Sequence, residues 1–303
     1  MNNPTSTERP EELLGPGLMA KLSQVSLAAP KTFPGSSTGK RFSRARGSEG
    51  MEFADHKQYS PGDDFRSIDW NVYARLDELV VKNFETQENL RINVLLDASG
   101  SMAFGKPAKG AVAKSLAAAL AYIGFINEDW TGVFAFTDAL RERYLPKGKP
   151  STAALLDVLD RTTLEGKTNF SAALKAFSIQ NTRPGLAFLI SDFCSASTLD
   201  EGLRSLVYAN YSIVALHITD PADEAPDLSG EMDLEDMESG ETIPLTVRGN
   251  TLQEYKRMHQ QHCTAVAKAF ALYDAVYLRI STQEPVEHVI LGSLKQQRVV
   301  RQR

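Results

Sequence analysis

Cysteine is scarce in this chain: Cys194 and Cys263 are the only two among 303 residues. Two thiols make no disulfide framework, so a reducing compartment is expected. An excess of positive charge is also missing. Lys and Arg total 33 against 38 Asp and Glu, for a net charge of −5 and a pI of about 5.6. No global basic field points to nucleic acid. No apolar run approaches the ~18–20 residues of a membrane span. The start, Met1-Asn2-Asn3-Pro4-Thr5, lacks a basic segment followed by an apolar stretch, so no secretory leader is expected. The expectation is a cytoplasmic protein with no nucleic-acid partner and no membrane span. What is present is ordinary: 42% apolar and 23% charged residues. That balance excludes a wholly disordered or collagen-like chain. The length suits one large domain or two smaller ones, with a substantial core.

Residues 1–34 are rich in Pro, Ser, Thr and Gly. They read as a mobile lead-in with one short apolar segment, Leu13 to Leu27, that could dock as a helix. Residues 36–50 are basic and glycine-bearing and read as a solvated loop. Over 51–91 aromatics recur (Phe53, Tyr59, Phe65, Trp70, Tyr73, Phe84) around a turn signal at Ser60-Pro61-Gly62-Asp63. A small β-containing subdomain over 35–90 is expected, with a strand at 79–84. From Arg91 strand-like and helix-like segments alternate. Strands are expected at 92–96, 131–136, 140–145, 186–191, 211–218 and 275–280. Helices are expected at 106–127, 152–161, 170–179, 199–209 and 251–272. This pattern argues for an α/β fold over 91–282, with a mostly parallel sheet and helices on both faces. One stretch breaks it: 220–241 holds ten acidic residues and no Lys or Arg. The region 220–245 reads as an exposed loop or hairpin insertion. The segment 283–303, with four cations in its last nine residues, reads as a frayed tail.

The most informative stretch is Leu95-Leu96-Asp97-Ala98-Ser99-Gly100-Ser101-Met102. A buried strand ends at Asp97 and a glycine-bearing turn follows. In open α/β sheets, ligands bind beyond the carboxyl ends of the strands. Asp97, Ser99 and Ser101 therefore lie where a site belongs, and Gly100 permits a tight path between the serines. Gly166-Lys167-Thr168-Asn169 precedes an expected helix, and Leu189-Ile190-Ser191-Asp192 ends another buried strand. Three loops thus converge with two carboxylates and three hydroxyls. These are hard oxygen donors, suited to Mg²⁺, with Mn²⁺ or Ca²⁺ as alternatives.

Asp97-x-Ser99-x-Ser101, with Thr168 and Asp192 downstream, resembles the metal-ion-dependent adhesion site of von Willebrand factor type A domains. The resemblance implies a doubly wound sheet over roughly 91–282. It also implies direct metal ligation by the two serines, a largely water-mediated Asp97, and a shell completed by Thr168 and Asp192. An open coordination position would take a partner's carboxylate. A second resemblance lies upstream. Tyr59-Ser60-Pro61-Gly62-Asp63-Asp64-Phe65-Arg66-Ser67-Ile68-Asp69-Trp70, then Ala74-Arg75, then Val81-Lys82-Asn83-Phe84-Glu85 is similar to the signature of the bacterial domain-of-unknown-function family 58. The stretch 236–241 with Tyr255 is similar to its later region. Members carry the signature ahead of a von Willebrand type A domain, many of them after transmembrane helices. They are commonly linked with MoxR-type AAA+ ATPases in assembling or activating other proteins. The resemblance implies such an ATPase, or its client, as partner. Read physically, Asp63, Asp64, Arg66, Asp69, Trp70 and Arg75 mix charge with aromatics. They suggest a salt-bridged joint, in which Arg66 or Arg75 pairs with a carboxylate across a domain junction, or a contact surface for a partner.

Competing motifs fail on particular positions. A haloacid-dehalogenase phosphatase needs a second Asp where Ser99 stands. A nucleophile elbow needs glycines where Asp97 and Ser101 stand. A phosphate-binding loop ending at Gly166-Lys167-Thr168 needs a glycine where Arg161 stands. His259, His262 and Cys263 lack further zinc ligands, and Cys194 lacks an evident activating base. His56 and His217 read as packing residues. The expected function is partner binding, not catalysis. The alternatives are a metal-dependent hydrolase using the same cation and a metal-independent scaffold working through residues 59–85.

Overall fold

A computed structural model of the chain describes residues 14–29, 41–43, 52–61, 63, 65–88, 90–146, 148–226, 228, 230–237, 240–247 and 249–303. The chain divides into two compact units. The smaller is Lys31–Leu90; the larger combines the residues up to Pro30 with Arg91–Arg303. Along the chain, α1 (Pro16–Leu22) and β1 (Val25–Leu27) open the larger unit. The smaller unit follows with β2 (Arg41–Ser43), β3 (Glu52–Gln58), α2 (Trp70–Leu76) and β4 (Val80–Glu88). Its strands pair antiparallel in the order β2-β4-β3. The segment before α2 is laced to β4, with the Asp69 amide donating to the Val80 carbonyl at 2.9 Å and the Tyr59 amide to the Leu79 carbonyl at 2.9 Å.

The larger unit resumes with β5 (Arg91–Asp97), α3 (Lys109–Ile126), β6 (Trp130–Phe136), β7 (Leu140–Tyr144) and α4 (Thr152–Arg161). Next come α5 (Phe170–Gln180), β8 (Leu186–Ser191), α6 (Leu199–Tyr208), β9 (Ser212–Thr219) and the short α7 (Pro221–Glu224). The chain continues through β10 (Gly230–Glu235), β11 (Thr242–Val247), α8 (Gly249–Ala271) and β12 (Val276–Ser281). It ends with α9 (Val286–His288), which runs into a π-helical stretch Val289–Leu294, and β13 (Val300–Gln302).

Six strands form the central sheet in the order β12-β9-β8-β5-β6-β7. All pairings are parallel except β6 with β7. Strands covered on both faces need continuous apolar runs, and residues 92–97, 186–191 and 212–219 are buried throughout. The chain leaves β5 toward β6 and leaves β8 toward β9, so the winding reverses between β5 and β8. Crevices open at such reversals, and Asp97 and Ser191 end the two strands. On one face the core is aromatic. Phe134 meets Phe177 edge-on at 5.0 Å, and Phe193 lies 5.5 Å from Phe170 and 5.1 Å from Phe270.

Three segments differ from expectation. The segment 283–303 is not frayed. Val289, Ile290, Leu294, Val299 and Val300 are buried, and β13 pairs antiparallel with β1, Leu27 opposite Val300. Within the expected lead-in, the apolar segment that could dock does so, but as α1 followed by the strand β1. Leu14, Leu22, Val25 and Leu27 are buried, and the Asn127 amide donates to the Val25 carbonyl at 2.9 Å. In both cases a few branched apolar side chains outweigh the flanking polar ones, and the larger unit takes in more chain than 91–282. Third, α3 is, by length and composition, long and apolar enough to cross a membrane. In this fold it covers the sheet, with Leu116, Ala117, Leu120, Ala121 and Ile123 fully buried. The insertion at 220–245 is α7 followed by a β10–β11 hairpin.

Candidate functional site

The site is built where β5 and β8 end. The turn after Asp97 is tied to the loop before α5 by backbone bonds: Gly100 N–H to the Gly166 carbonyl at 3.0 Å, and Glu165 N–H to the Ala98 carbonyl at 2.9 Å. Gly166 takes a φ of +87°, which glycine adopts without strain, and the loop then delivers Thr168. Asn169 caps α5, its side chain accepting from the Ala172 amide at 3.0 Å. Thr168 is thereby held between a glycine turn and a helix start.

Asp97 is 1% exposed and accepts from three sides. The Ser99 amide and the Thr168 hydroxyl donate to Oδ1, each at 3.0 Å, and the Ser191 hydroxyl donates to Oδ2 at 2.6 Å. The Ser99 and Ser101 hydroxyls lie 3.1 Å apart. Burial pushes the Asp97 carboxyl up to about 6; the Asp192 charge adds to the rise, and the bonds from Ser191 and Ser99 oppose it. Asp192 is 4% exposed. Burial favours its neutral form, but the Lys109 charge and hydrogen bond outweigh that and hold it below the usual carboxylate range. The Cys194 amide and the Ser101 hydroxyl act in the same direction. The five side chains expected from the sequence are therefore brought together: Thr168 and Ser99 on Asp97, Ser101 on Ser99, and Ser101 on Asp192.

Four contributors were not anticipated. Ser191 bonds Asp97 as described. Phe193, next to Asp192, takes a left-handed φ of 49°, a costly conformation for a bulky residue. Its amide donates to Ser191 Oγ at 2.9 Å, and its ring is clamped by Phe170, Phe270 and His217. The aromatic core thus fixes the turn that presents Asp192. The third is Lys109, the first residue of α3. It is 3% exposed, and its ammonium donates to Asp192 Oδ2 at 2.7 Å and lies 3.5 Å from Asp223 Oδ2. The fourth is Asp223, on α7. No sequence signal marks Lys109, since it opens an Ala/Leu-rich helix. Ser191 and Asp223 stood in stretches that read as strand and as solvated insertion.

The upstream residues go elsewhere. Asp63 accepts from the Ser60 amide at 3.0 Å and pairs with Lys57 at 3.2 Å, closing the expected turn. Asp69 caps α2 through the Asn71 amide at 3.0 Å and faces His56 Nε2 at 3.1 Å, so His56 is a polar partner where packing was expected. Trp70 is 59% exposed and meets Tyr73 edge-on at 6.2 Å. Arg66 lies over the Phe65 ring at 5.8 Å, and Arg75 is exposed in the last turn of α2. Asp64 lies outside the described residues. Asp63 and Asp69 thus serve turn and cap inside the smaller unit.

The side motifs gather no further chemistry. Cys263 Sγ is 3.6 Å from His259, whose ring stacks on Tyr255, and His262 Nε2 reaches the Phe193 carbonyl at 3.1 Å. The Cys194 residue is exposed overall, yet burial is the first cause that pushes its thiol up, with Asp192 adding to it. An activated nucleophile would need the opposite shift. His217 is buried and paired with the Tyr277 hydroxyl at 2.5 Å. Among the described residues no three or more His, Cys, Asp or Glu side chains are grouped to hold a metal; the sheet-edge cluster has two carboxylates, and its other oxygens are hydroxyls. A groove of about 670 Å³ lies away from it, between α5 and α6, lined by Lys175, Ile179, Glu201 and Tyr208 among others.

Comparison with known proteins gives three findings. The model of the family described as "Protein of unknown function DUF58" matches residues 55–265. The uncharacterized protein Rv1480 of Mycobacterium tuberculosis is 26% identical over 274 residues, covering 88% of this chain and 86% of its own. Among solved structures, the conserved hypothetical protein BatB from Bacteroides thetaiotaomicron aligns at a TM-score of 0.45 and 16% identity, over 69% of this chain and 99% of its own. Proximal thread matrix protein 1 from the mussel byssus, with a zinc-occupied MIDAS motif, aligns at 0.37 and 13%, over 66% of this chain and 46% of its own.

Proposed function

Starting from the fact that this chain belongs to the DUF58 family, we propose that it is a binding module whose sheet-edge site holds a hard divalent cation. That cation presents an open coordination position to a carboxylate on a partner protein. The observation that carries the reading is the convergence of Asp97, Ser99, Ser101, Thr168 and Asp192 on one rim. Thr168 and Ser99 bond Asp97, and the two serine hydroxyls lie within 3.1 Å of each other. The donor set fits the ion: two carboxylates and three hydroxyls are all hard oxygens, which suit Mg²⁺, with Mn²⁺ and Ca²⁺ as competitors. In this reading the site is of the metal-ion-dependent adhesion type and the larger unit is a von Willebrand type A-like domain. The partner is a MoxR-type AAA+ ATPase or the client it remodels.

Binding is favoured over hydrolysis by the chemistry at hand. Asp97 is contacted by hydroxyls and an amide, and Asp192 by an ammonium, an amide and the Ser101 hydroxyl. No His or Glu bonds either carboxylate among the described residues, and Asp97, the one group lifted toward neutrality, is 1% exposed and closed in by three donors. The test is calorimetric titration of Mg²⁺ and Mn²⁺ into the wild type and Asp97→Ala, followed by capture of the partner with and without chelator. Saturable binding lost in Asp97→Ala, and capture lost with chelator, is the expected result. Equal binding by both proteins ends the metal reading. Capture that survives chelation moves the contact to residues 59–85.

A further inference from the structure

A lysine at the start of a long helix is badly placed. The helix N-terminus carries partial positive charge, and a buried ammonium loses its hydration. Lys109 has both disadvantages, being the first residue of α3 and 3% exposed. What holds it there is carboxylate. Asp192 Oδ2 lies 2.7 Å away and Asp223 Oδ2 3.5 Å away, and the Phe104 ring lies 5.6 Å from the ammonium. Asp192 is one of the five oxygen ligands of the cation site. A protein cation and a metal cation are therefore directed at the same carboxylate.

We propose that Lys109 is a resident cation of this site. Its ammonium competes with the divalent ion for Asp192, and the ion takes full hold only as Lys109 passes to Asp223. The inference rests on the metal-site reading above and adds what regulates it. Two observations make the transfer a short one. Asp223 already faces the ammonium at 3.5 Å, so the change of partner is a tilt of one long side chain. Asp223 is itself positioned, since its carboxylate accepts from the Asp220 amide at 3.0 Å in the capping box of α7. Asp220 is anchored in turn by the Thr282 hydroxyl at 2.7 Å. The second carboxylate is thus a fixed receptor. It lies at the base of the insertion carrying the β10–β11 hairpin, so occupancy of the ion site is linked to a charge pairing under that hairpin.

The alternative for Lys109 is a purely structural ion pair whose charge plays no part in cation binding. The two are separated by titrating Mg²⁺ and Mn²⁺ calorimetrically into wild type, Lys109→Met and Asp223→Asn, each checked for folding by circular dichroism. Competition between like charges in a poorly solvated site predicts tightening of about tenfold or more in Lys109→Met. It predicts weakening in Asp223→Asn, which removes the receptor from the more exposed α7. A thermal scan gives a second readout. In chelator, Lys109→Met melts several degrees below wild type because Asp192 is left without its partner; saturating Mg²⁺ restores it more than it raises wild type. Equal affinity in all three proteins overturns the role of Lys109 and leaves the metal site standing. No ion binding in any of them overturns both readings. If Lys109→Met does not fold, unchanged or tighter binding by Asp223→Asn overturns the proposal.

Discussion

Replacing Asp192 with Asn leaves the Lys109 ammonium buried with its nearest counter-charge gone. The pair is 2.7 Å long, with both side chains under 5% exposed, so solvent screening is weak. Removing one partner of such a pair costs about 3–5 kcal/mol, because the other charge stays behind uncompensated. Asp223, 3.5 Å from the same ammonium and 23% exposed, recovers part of that, so the expected loss is about 2–4 kcal/mol. In a unit of this size 1 kcal/mol corresponds to roughly 2–4 °C in melting temperature, so a drop of roughly 5–15 °C is expected. The assay is urea unfolding followed by circular dichroism, with chelator present, on wild type, Asp192→Asn, Lys109→Met and the double variant Lys109→Met/Asp192→Leu. The double variant should recover most of the loss, since replacing both ends of a buried pair with apolar groups is often close to neutral. Additive single-variant losses, or a loss under about 1 kcal/mol for Asp192→Asn, would refute the buried-pair argument.

Two further outcomes follow from the geometry around it. His217 is 2% exposed, and burial lowers its imidazole from 6.5 to about 4, with the Asp192 charge acting against the shift. The folded state therefore holds the ring neutral where the unfolded chain protonates it. This stability is fully present above pH 6.5 and is lost as pH falls toward 4, by about 3 kcal/mol in all. Urea unfolding across that range should show a steeper acid loss in wild type than in His217→Asn, and equal slopes would contradict it. Phe193→Ala removes a ring packed between Phe170, Phe270 and His217 and should cost about 3–5 kcal/mol. Mg²⁺ affinity, read calorimetrically, should fall with it because the turn presenting Asp192 loosens; unchanged affinity would show that the turn holds itself.

The five residues proposed as ligands were legible because each sits at a position that sequence marks locally: a strand end, a glycine turn, a helix start. Their mutual bonds follow from the sheet winding, which the alternation of elements already implied. Lys109 was not legible. Its partner Asp192 is 83 residues away, and its neighbours Gly110, Ala111 and Val112 read as an ordinary core helix. Asp223 was hidden for a related reason, since ten acidic residues in one stretch look like solvation whether or not one of them faces a buried ammonium. The ends of the chain were misread because a three-residue strand such as β1 or β13 is too short to display a period. Local counts of Pro, Ser, Arg and Lys then dominate, although Leu27 and Val300 pair across the whole sequence.

That last pairing changes how the molecule can be cut. Because β1 and β13 hold each other, the smaller unit is spliced into the larger one and not strung in front of it. A fragment begun at Arg91 would keep all six strands of the main sheet and still expose Val299 and Val300, whose cover it had discarded. A faithful excision keeps residues 14–29 together with 91–303.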